Sequence, residues 1–182
     1  MPRLVLINGA PGSGKSTIAE ALGRLLPNTR TIDIDLIKHA LPSWDSDPNE
    51  AGLEARRLAA AEARAHLTAA SDVVIGQYLA RSDFINELQH VAEGTGAKFT
   101  EVILDVDAGT LRSRLTYRSS SPGRTEHAIN NRLVDPTDAP QLVSSMRTIE
   151  KARPGALRVD ASGTIESTLA EVVAALGSPG DH

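Results

Sequence analysis

The stretch Gly9-Ala10-Pro11-Gly12-Ser13-Gly14-Lys15-Ser16 decides the fold of this chain. It fits the pattern G-x-x-x-x-G-K-[ST], in which glycines let successive backbone N–H groups converge on phosphate oxygens. An apolar run over residues 4–8 precedes the stretch, and apolar residues at helical spacing follow it over residues 16–26. Because this pattern requires a strand before it and a helix after it, the sequence predicts a phosphate-binding loop, residues 9–16, at a helix N-terminus. We call these residues the phosphate loop.

The residues of the phosphate loop have expected roles toward a nucleotide. The Lys15 ammonium should reach the β- and γ-phosphates, the Ser16 hydroxyl should ligate Mg²⁺, and Thr17 should support the α-phosphate. The alternative is a chance glycine-rich turn, but at average glycine usage such a match is roughly a one-in-a-hundred accident. The predicted nucleotide-binding residues here are Gly9, Ala10, Pro11, Gly12, Ser13, Gly14, Lys15, Ser16 and Thr17.

Strand-like and helix-like patterns alternate along the rest of the chain. Parallel strands need crossover connections, so this alternation predicts an α/β fold of three layers, a mostly parallel five-stranded sheet flanked by helices. A length of 182 residues suits a single domain, 1–182. The predicted strands are 4–8, 29–34, 72–76, 99–106 and 156–159, and the predicted helices are 16–26, 36–41, 48–70, 82–93, 108–117, 138–153 and 165–176.

The composition excludes several classes of protein. With 41% apolar and 23% charged residues, and no apolar run of membrane-spanning length, the chain is expected to be cytoplasmic and not membrane-bound. The apolar run after Met1-Pro2-Arg3 has no cleavage site after it and is interpreted as a strand, not a signal peptide. The absence of cysteine excludes disulfides, thiolate zinc sites and cysteine nucleophiles. A net charge of −4 offers no general attraction to nucleic acid.

Two carboxylates follow the second predicted strand. Asp33 and Asp35 stand at its carboxyl end, on the edge where parallel α/β sheets bind ligands. One carboxylate could order the water ligands of Mg²⁺ while the other accepts a proton from an attacking hydroxyl. The alternative for Asp35 is a helix N-cap, since it precedes the helical residues 36–41.

Arginines are concentrated between residues 112 and 132, where Glu126 is the only acid. Arg114 and Arg118 are four residues apart on a predicted helix and therefore share a face. The polar residues that follow predict a mobile lid, about residues 118–132, whose Arg118 and Arg124 close over ATP and stabilise the transferring charge. The alternative is an ordinary solvent-exposed face. The cluster consists of Arg112, Arg114, Arg118, Arg124 and Arg132.

Ser162 and Gly163 follow the last predicted strand, again at the ligand-binding edge. Their backbone groups could contact the rim of the adenine, or the segment 162–164 could be a turn and a helix cap.

With these residues, the chain resembles the small P-loop kinases of the nucleoside-monophosphate-kinase-like group. This group includes shikimate and gluconate kinases, chloramphenicol phosphotransferase, adenylate kinase and, more distantly, zeta-toxin sugar-nucleotide kinases. The element order matches over nearly the whole chain and implies a P-loop NTPase fold with sheet order 2-3-1-4-5. The Asp-x-Asp of those families resembles residues 33–35 and implies that Asp35 is the catalytic base. Their Arg-x-x-x-Arg looks like residues 114–118 and implies Arg114 against the adenine and Arg118 on the phosphates.

The chain departs from those families after the third predicted strand. It lacks the glycine triplet of shikimate kinases and the Gly-x-Pro-Arg of adenylate kinases. An acid is also absent at the end of that strand, which leaves Asp33 as the expected partner of Mg²⁺. The residues at the substrate position of the family are expected to face the phosphate acceptor, and their cations favour an acceptor that carries phosphate or carboxylate. These residues are Gln77, Tyr78 and Arg81, joined by Lys38, for which a solvated helix position is the alternative.

The function expected from the sequence is transfer of the γ-phosphate of ATP to a hydroxyl of a small molecule, with Mg²⁺. ATP is chosen by elimination, because the guanine signature Asn-Lys-x-Asp is absent. One alternative is a regulatory or assembly ATPase that acts on a protein partner, although the sequence has no obvious oligomerisation segment. A polynucleotide 5′-hydroxyl kinase is a further alternative, disfavoured by the net charge and by the few aromatic residues.

Overall fold

A five-stranded sheet forms the centre of the molecule in a computed structural model that describes residues 1–120 and 134–177. All four neighbouring pairs of strands are parallel. The strand order, 2-3-1-4-5, confirms the order that the resemblance implied. The strands are β1 (Arg3–Gly9), β2 (Thr29–Ile32), β3 (Asp72–Gln77), β4 (Lys98–Asp105) and β5 (Leu157–Asp160).

Helices connect the strands and cover the sheet. They are α1 (Lys15–Leu25), α2 (Ile34–Ala40), α3 (Pro48–Thr68), α4 (Ser82–Gly94), α5 (Ala108–Ser120), α6 (Ala139–Ala152), which follows a 3₁₀ turn at Pro136–Asp138, and α7 (Ile165–Leu176). Helix α1 packs beside α7, and α3 packs beside α4. None of the helices in the described ranges has the length and apolar character needed to cross a bilayer.

The central strands supply most of the core. Leu4, Val5, Leu6 and Ile7 of β1 are all at most 1% exposed, and residues 73–75 of β3 are fully buried. Successive side chains of a strand point to opposite faces, so burial of every residue requires cover on both faces. The continuous apolar runs in the sequence therefore correspond to strands inside a helix-covered sheet.

The boundary between β2 and α2 differs from the sequence prediction. The predicted strand 29–34 ends at Ile32, and the helix predicted from residue 36 begins at Ile34. The cause is the Asp33 carboxylate, which accepts hydrogen bonds from the N–H groups of Asp35 (2.9 Å) and Leu36 (3.1 Å). Asp33, and not Asp35, is therefore the N-cap, and the capping interpretation of Asp35 is wrong.

Helix α5 extends beyond its predicted end at residue 117 and continues to Ser120. The hydroxyls of Ser119 and Ser120 donate hydrogen bonds to the Thr116 carbonyl, at 2.8 and 3.0 Å. These serine hydroxyls thus bond to a carbonyl in the last turn of the helix. The polar sequence of this segment had predicted a loop here. Arg118 is consequently a helical residue. The remainder of the predicted lid, residues 121–132 with Arg124 and Arg132, lies outside the described residues.

Gly76 of β3 lets α1 approach the sheet closely. A Cβ at this position would lie 3.0 Å from the Ala19 Cβ and 3.1 Å from the Lys15 carbonyl oxygen. The contact with the Lys15 carbonyl is tighter than nearly all Cβ contacts in proteins, so α1 would have to move by a few tenths of an ångström. Gly76 therefore helps to fix the distance between the sheet and the first turn of α1.

Candidate functional site

The phosphate loop takes the backbone shape that its glycines permit. Gly12 and Gly14 have φ angles of +89° and +94°, in the left-handed region that glycine adopts without steric cost. The Ser13 N–H donates a hydrogen bond to the Ala10 carbonyl at 3.0 Å, which closes the turn. Helix α1 begins at Lys15 without a side-chain cap. The loop thus presents backbone N–H groups and the positive end of a helix to an anion.

Lys15 is half-buried and electrostatically perturbed. Burial lowers the pKa of its ammonium group from 10.5 to about 8. Attraction to Asp35 opposes this change, repulsion from Arg118 adds to it, and Asp33 makes a smaller opposing contribution. The fold therefore brings the two aspartates and one of the arginines that the sequence predicted close to one half-buried lysine.

Two arginines of α5 face the phosphate loop. Arg114 donates hydrogen bonds to the carbonyls of Ser13 (3.4 Å) and Gly163 (2.8 Å), so it joins the phosphate loop to the connection between β5 and α7. Arg118 is half-buried, and the loss of solvent lowers the pKa of its guanidinium. Arg112, on the same helix, is exposed, as expected for a solvated position.

A cavity of about 500 Å³ lies between these elements, within the usual volume of a small-molecule site. It includes Tyr117, which the sequence analysis did not select. Tyr117 is 74% exposed, and its spacing of three residues from Arg114 placed it on the same helix face. We call this cavity the nucleotide cavity. Its lining residues are Gly12, Gly14, Lys15, Ser16, Thr17, Arg114, Tyr117, Arg118, Gly163, Thr164 and Ile165.

The segment after β5 caps a helix and also contributes one of its two predicted residues to the nucleotide cavity. Thr164 caps α7, because its side chain accepts a hydrogen bond from the Ser167 N–H at 3.2 Å. Gly163 lines the nucleotide cavity, whereas Ser162 does not and instead donates its N–H to the Asp160 carboxylate at 2.9 Å.

A second concavity, of about 600 Å³, adjoins the end of β3. Tyr78 and Arg81, predicted to face the acceptor, line it, whereas Gln77, Lys38 and Asp35 do not and are half-buried elsewhere. We call it the α3–α4 groove. Its lining residues are Leu53, Arg56, Arg57, Tyr78, Leu79, Ala80, Arg81, Asp83, Phe84 and Glu87.

The arginines of the α3–α4 groove differ in their partners. Arg57 contacts Glu54 at 3.1 Å and Glu50 at 3.8 Å on its own helix. The Arg56 guanidinium lies 5.9 Å from the centre of the Phe84 ring. Within the part of the chain that the structure describes, neither Arg56 nor Arg81 forms an ion pair. Arg56 was not predicted from the sequence, because it is one of several charged residues on an alanine-rich helix.

The expected Mg²⁺ ligands are Ser16 and Asp33. Ser16 lines the nucleotide cavity and Asp33 acts electrostatically on the neighbouring Lys15. In residues 1–120 and 134–177, no group of three or more His, Asp or Glu side chains could hold a metal ion. Mg²⁺ is commonly bound by one or two protein oxygens together with water and substrate phosphates, so a hydroxyl and one carboxylate fit such an ion.

Comparisons with known proteins give a family and a fold. Residues 5–135 match the family described as AAA domain. No curated protein matches the sequence. The gluconokinase from Sinorhizobium meliloti 1021 has a similar structure, with a TM-score of 0.66 and 17% identity over 96% of this chain and 91% of that one.

Two further solved structures have the same fold. The tunicamycin resistance protein of Deinococcus radiodurans gives a TM-score of 0.67 and 15% identity, over 97% of this chain and 96% of that one. The deoxyadenosine kinase from M. mycoides gives a TM-score of 0.57 and 15% identity, over 96% of this chain and 98% of that one. At these identities the likeness concerns the fold, and together with the family match it confirms the resemblance to the small P-loop kinases.

Proposed function

The chain belongs to the AAA domain family, and from that premise we propose that it is an ATP-dependent phosphotransferase whose acceptor is a hydroxyl of a small molecule. The observation that carries the proposal is the arrangement of charge around Lys15. A nucleotide cradle needs the lysine, but it does not need a carboxylate that acts on that lysine from a neighbouring element. Asp35 is such a carboxylate, and among the charged groups it has the largest effect on the pKa of Lys15.

The donor half of the reaction uses the phosphate loop and α5. Backbone N–H groups of residues 9–16 bind the phosphates, Lys15 contacts the β- and γ-phosphates, and Thr17 supports the α-phosphate. Arg114 joins the two sides of the nucleotide cavity through the Ser13 and Gly163 carbonyls, and it is proposed to lie against the adenine. Arg118, on the same face, neutralises charge that develops on the transferring phosphoryl group. Arg124 is proposed to join Arg118 from the lid.

Ser16 and Asp33 are proposed to hold Mg²⁺, which when bound neutralises phosphate charge. The oxygen of the acceptor hydroxyl attacks the γ-phosphorus, and Asp35 accepts the proton of that hydroxyl. The bond between the γ-phosphorus and the oxygen that bridges to the β-phosphate breaks, and ADP leaves. The residues of this chain therefore act mainly by position and charge, as is usual for phosphoryl transfer.

The acceptor half is proposed to lie between Asp35 and the α3–α4 groove. Tyr78 and Arg81 line the groove in the segment that follows β3. Strand β3 pairs directly with β1, the strand that leads into the phosphate loop. Gln77 and Lys38 are proposed to complete the acceptor site nearer to Asp35. Arg56 of α3 and Arg81 of the β3–α4 connection both line the groove and favour an acceptor that carries a carboxylate or phosphate as well as a hydroxyl.

The direct test is transfer of label from γ-labelled ATP to a panel of hydroxyl compounds in the presence of Mg²⁺. The panel should contain matched pairs, such as a sugar and its sugar acid or sugar phosphate, together with a 5′-hydroxyl oligonucleotide. Labelled product from an anionic small molecule is expected, and a Lys15→Met variant serves as the blank. Label found only as free phosphate would contradict the proposal and favour an ATPase, and label on the oligonucleotide would favour a polynucleotide kinase.

A further inference from the structure

We propose that Asn8 is a positioning residue that fixes the segment 78–81 of the α3–α4 groove relative to the phosphate loop. This inference rests on the proposed function, because it concerns the alignment of acceptor and donor. The inference assigns a role to a buried polar side chain that lines neither the nucleotide cavity nor the α3–α4 groove.

Asn8 lies at the carboxyl end of β1, directly before Gly9, and is fully buried. Its side-chain oxygen accepts a hydrogen bond from the Leu79 N–H at 3.0 Å, and its Nδ2 donates to the Leu79 carbonyl at 3.2 Å. Pairing of β1 with β3 ends at Gln77, two residues earlier. A single side chain therefore holds both backbone groups of Leu79 where the sheet no longer does.

The orientation of the Asn8 amide is set from behind by β4. Asn8 Nδ2 also donates to Glu101 Oε1 at 3.2 Å, and Glu101 is only 4% exposed. An amide has a donor on one side and an acceptor on the other. With two acceptors facing Nδ2 and one donor facing Oδ1, only one orientation of the amide satisfies all three partners.

Glu101 is itself held in place by Arg153, which follows α6. Arg153 Nε donates to Glu101 Oε2 at 2.9 Å, and its two terminal nitrogens donate to Asn86 (2.9 Å) and Gln89 (3.1 Å) of α4. The network thus links α4, β4 and β1, and ends at Leu79. Buried polar networks of this kind are costly when any member is unsatisfied, so they specify one arrangement.

The consequence is a fixed distance between two halves of a site. The residue after Asn8 begins the phosphate loop, and the residues on either side of Leu79 are Tyr78 and Ala80, with Arg81 next. Leu79 is buried and anchors the segment, while Tyr78 and Arg81 project into the groove. A misplacement of about 1 Å between reacting groups costs up to roughly 100-fold in rate. Loss of the hydrogen bonds between Asn8 and Leu79 should therefore affect phosphate transfer more than binding of ATP.

The test is Asn8→Asp, which keeps the size and one acceptor oxygen but places a second oxygen against the Leu79 carbonyl and Glu101. The kcat for transfer to the acceptor identified from the panel is expected to fall by about 10- to 100-fold. The dissociation constant of ATP is expected to stay unchanged, and a larger share of the γ-phosphate should go to water. This partition between acceptor and water is a readout that a loss of folded protein alone would not change.

Asn86→Ala is the matched control, because it removes a hydrogen bond at the exposed outer end of the same network and should keep the wild-type partition. If Asn8→Asp does not fold, Asn8→Ala is measured instead, with active sites counted by ATP titration. A wild-type partition and kcat in the Asn8 variant would overturn this inference alone. If the wild-type protein transfers phosphate to nothing, the proposed function fails and this inference fails with it.

Discussion

At the scale of single residues, Lys15 is partly removed from solvent although its proposed function needs its charge. With a pKa of about 8, part of the Lys15 population is neutral in the ligand-free protein at mildly alkaline pH. Phosphate oxygens favour the charged form and raise the pKa again. Binding of ATP should therefore be accompanied by uptake of a proton at Lys15.

We expect this uptake to be small at pH 6.5 and to approach roughly one proton near pH 9, the pH at which the ligand-free lysine is mostly neutral. Calorimetry of ATP binding in buffers with different ionisation enthalpies measures it. Lys15→Met should bind ATP more weakly and lose the pH-dependent part of the uptake. Equal uptake in the variant and the wild type would assign the proton to another group.

Asp35 supports a second prediction at this scale. Asp35→Asn keeps the size and hydrogen-bonding capacity of the side chain but removes its basicity. Transfer to the acceptor should fall by about 10²- to 10⁴-fold, the usual contribution of a positioned general base. The ATP dissociation constant, measured by calorimetry at pH 7, should stay close to that of the wild type. A variant that transfers phosphate at the wild-type rate would remove Asp35 from the proposed chemistry.

At the scale of elements, the N-cap residue of α2 has one observed role and one proposed role. Asp33 caps the helix through Oδ1 and is also the proposed Mg²⁺ partner. Two substitutions separate these roles, because asparagine caps a helix as well as aspartate but binds Mg²⁺ less strongly.

Asp33→Ala is expected to lower the free energy of unfolding by about 1 kcal/mol, and Asp33→Asn to leave it nearly unchanged. Both variants should need more Mg²⁺ for half-maximal transfer. Thermal unfolding and a Mg²⁺ titration of the transfer rate measure the two effects. An unaltered Mg²⁺ requirement in Asp33→Asn would leave Asp33 with the capping role alone.

The helices differ in how far their sequences specify them. The start of α3 was predicted correctly, since Asp47, Pro48 and Glu50 are local signals and the Glu50 N–H indeed donates to Asp47 at 3.0 Å. The start of α2 was predicted wrongly, because two aspartates two residues apart are equally good caps. Only the backbone of the assembled protein determines which of them meets the free N–H groups.

At the scale of the whole molecule, the missed site residues are those that only the fold brings together. The phosphate loop and the Asp-x-Asp are short patterns that the sequence shows directly. The hydrogen bonds between Asn8 and Leu79 span 71 residues, and Asn8 in the sequence is one polar residue before a glycine. Arg56 was likewise missed, because nothing in the sequence of its helix indicates that it lines the same groove as the predicted Arg81. The sheet order came from the resemblance, since local patterns do not contain it.

The joint placement of Arg56 and Arg81 leads to a prediction about specificity. Arg56→Gln or Arg81→Gln should raise the KM of an anionic acceptor by about 10- to 100-fold, because each removes a charge-assisted hydrogen bond. The KM of the neutral member of the same matched pair should change little, as should the KM of ATP. Initial rates at varied acceptor concentration measure these constants.

Arg112→Gln is the control, since it removes the same charge from an exposed position of α5. It should leave every one of these constants unaltered. Equal effects of the Arg56 and Arg112 substitutions would show that net charge, and not the groove, determines the affinity for the acceptor.

The close packing at Gly76 has an evolutionary consequence. A Cβ at position 76 would press on the backbone at Lys15, so few side chains other than hydrogen fit at this position. The walls formed by α3 and by residues 78–81 face a groove and can exchange side chains without moving α1. New acceptor specificities should therefore arise in this architecture by substitution of the walls, and selection experiments should recover changes there while returning glycine at position 76.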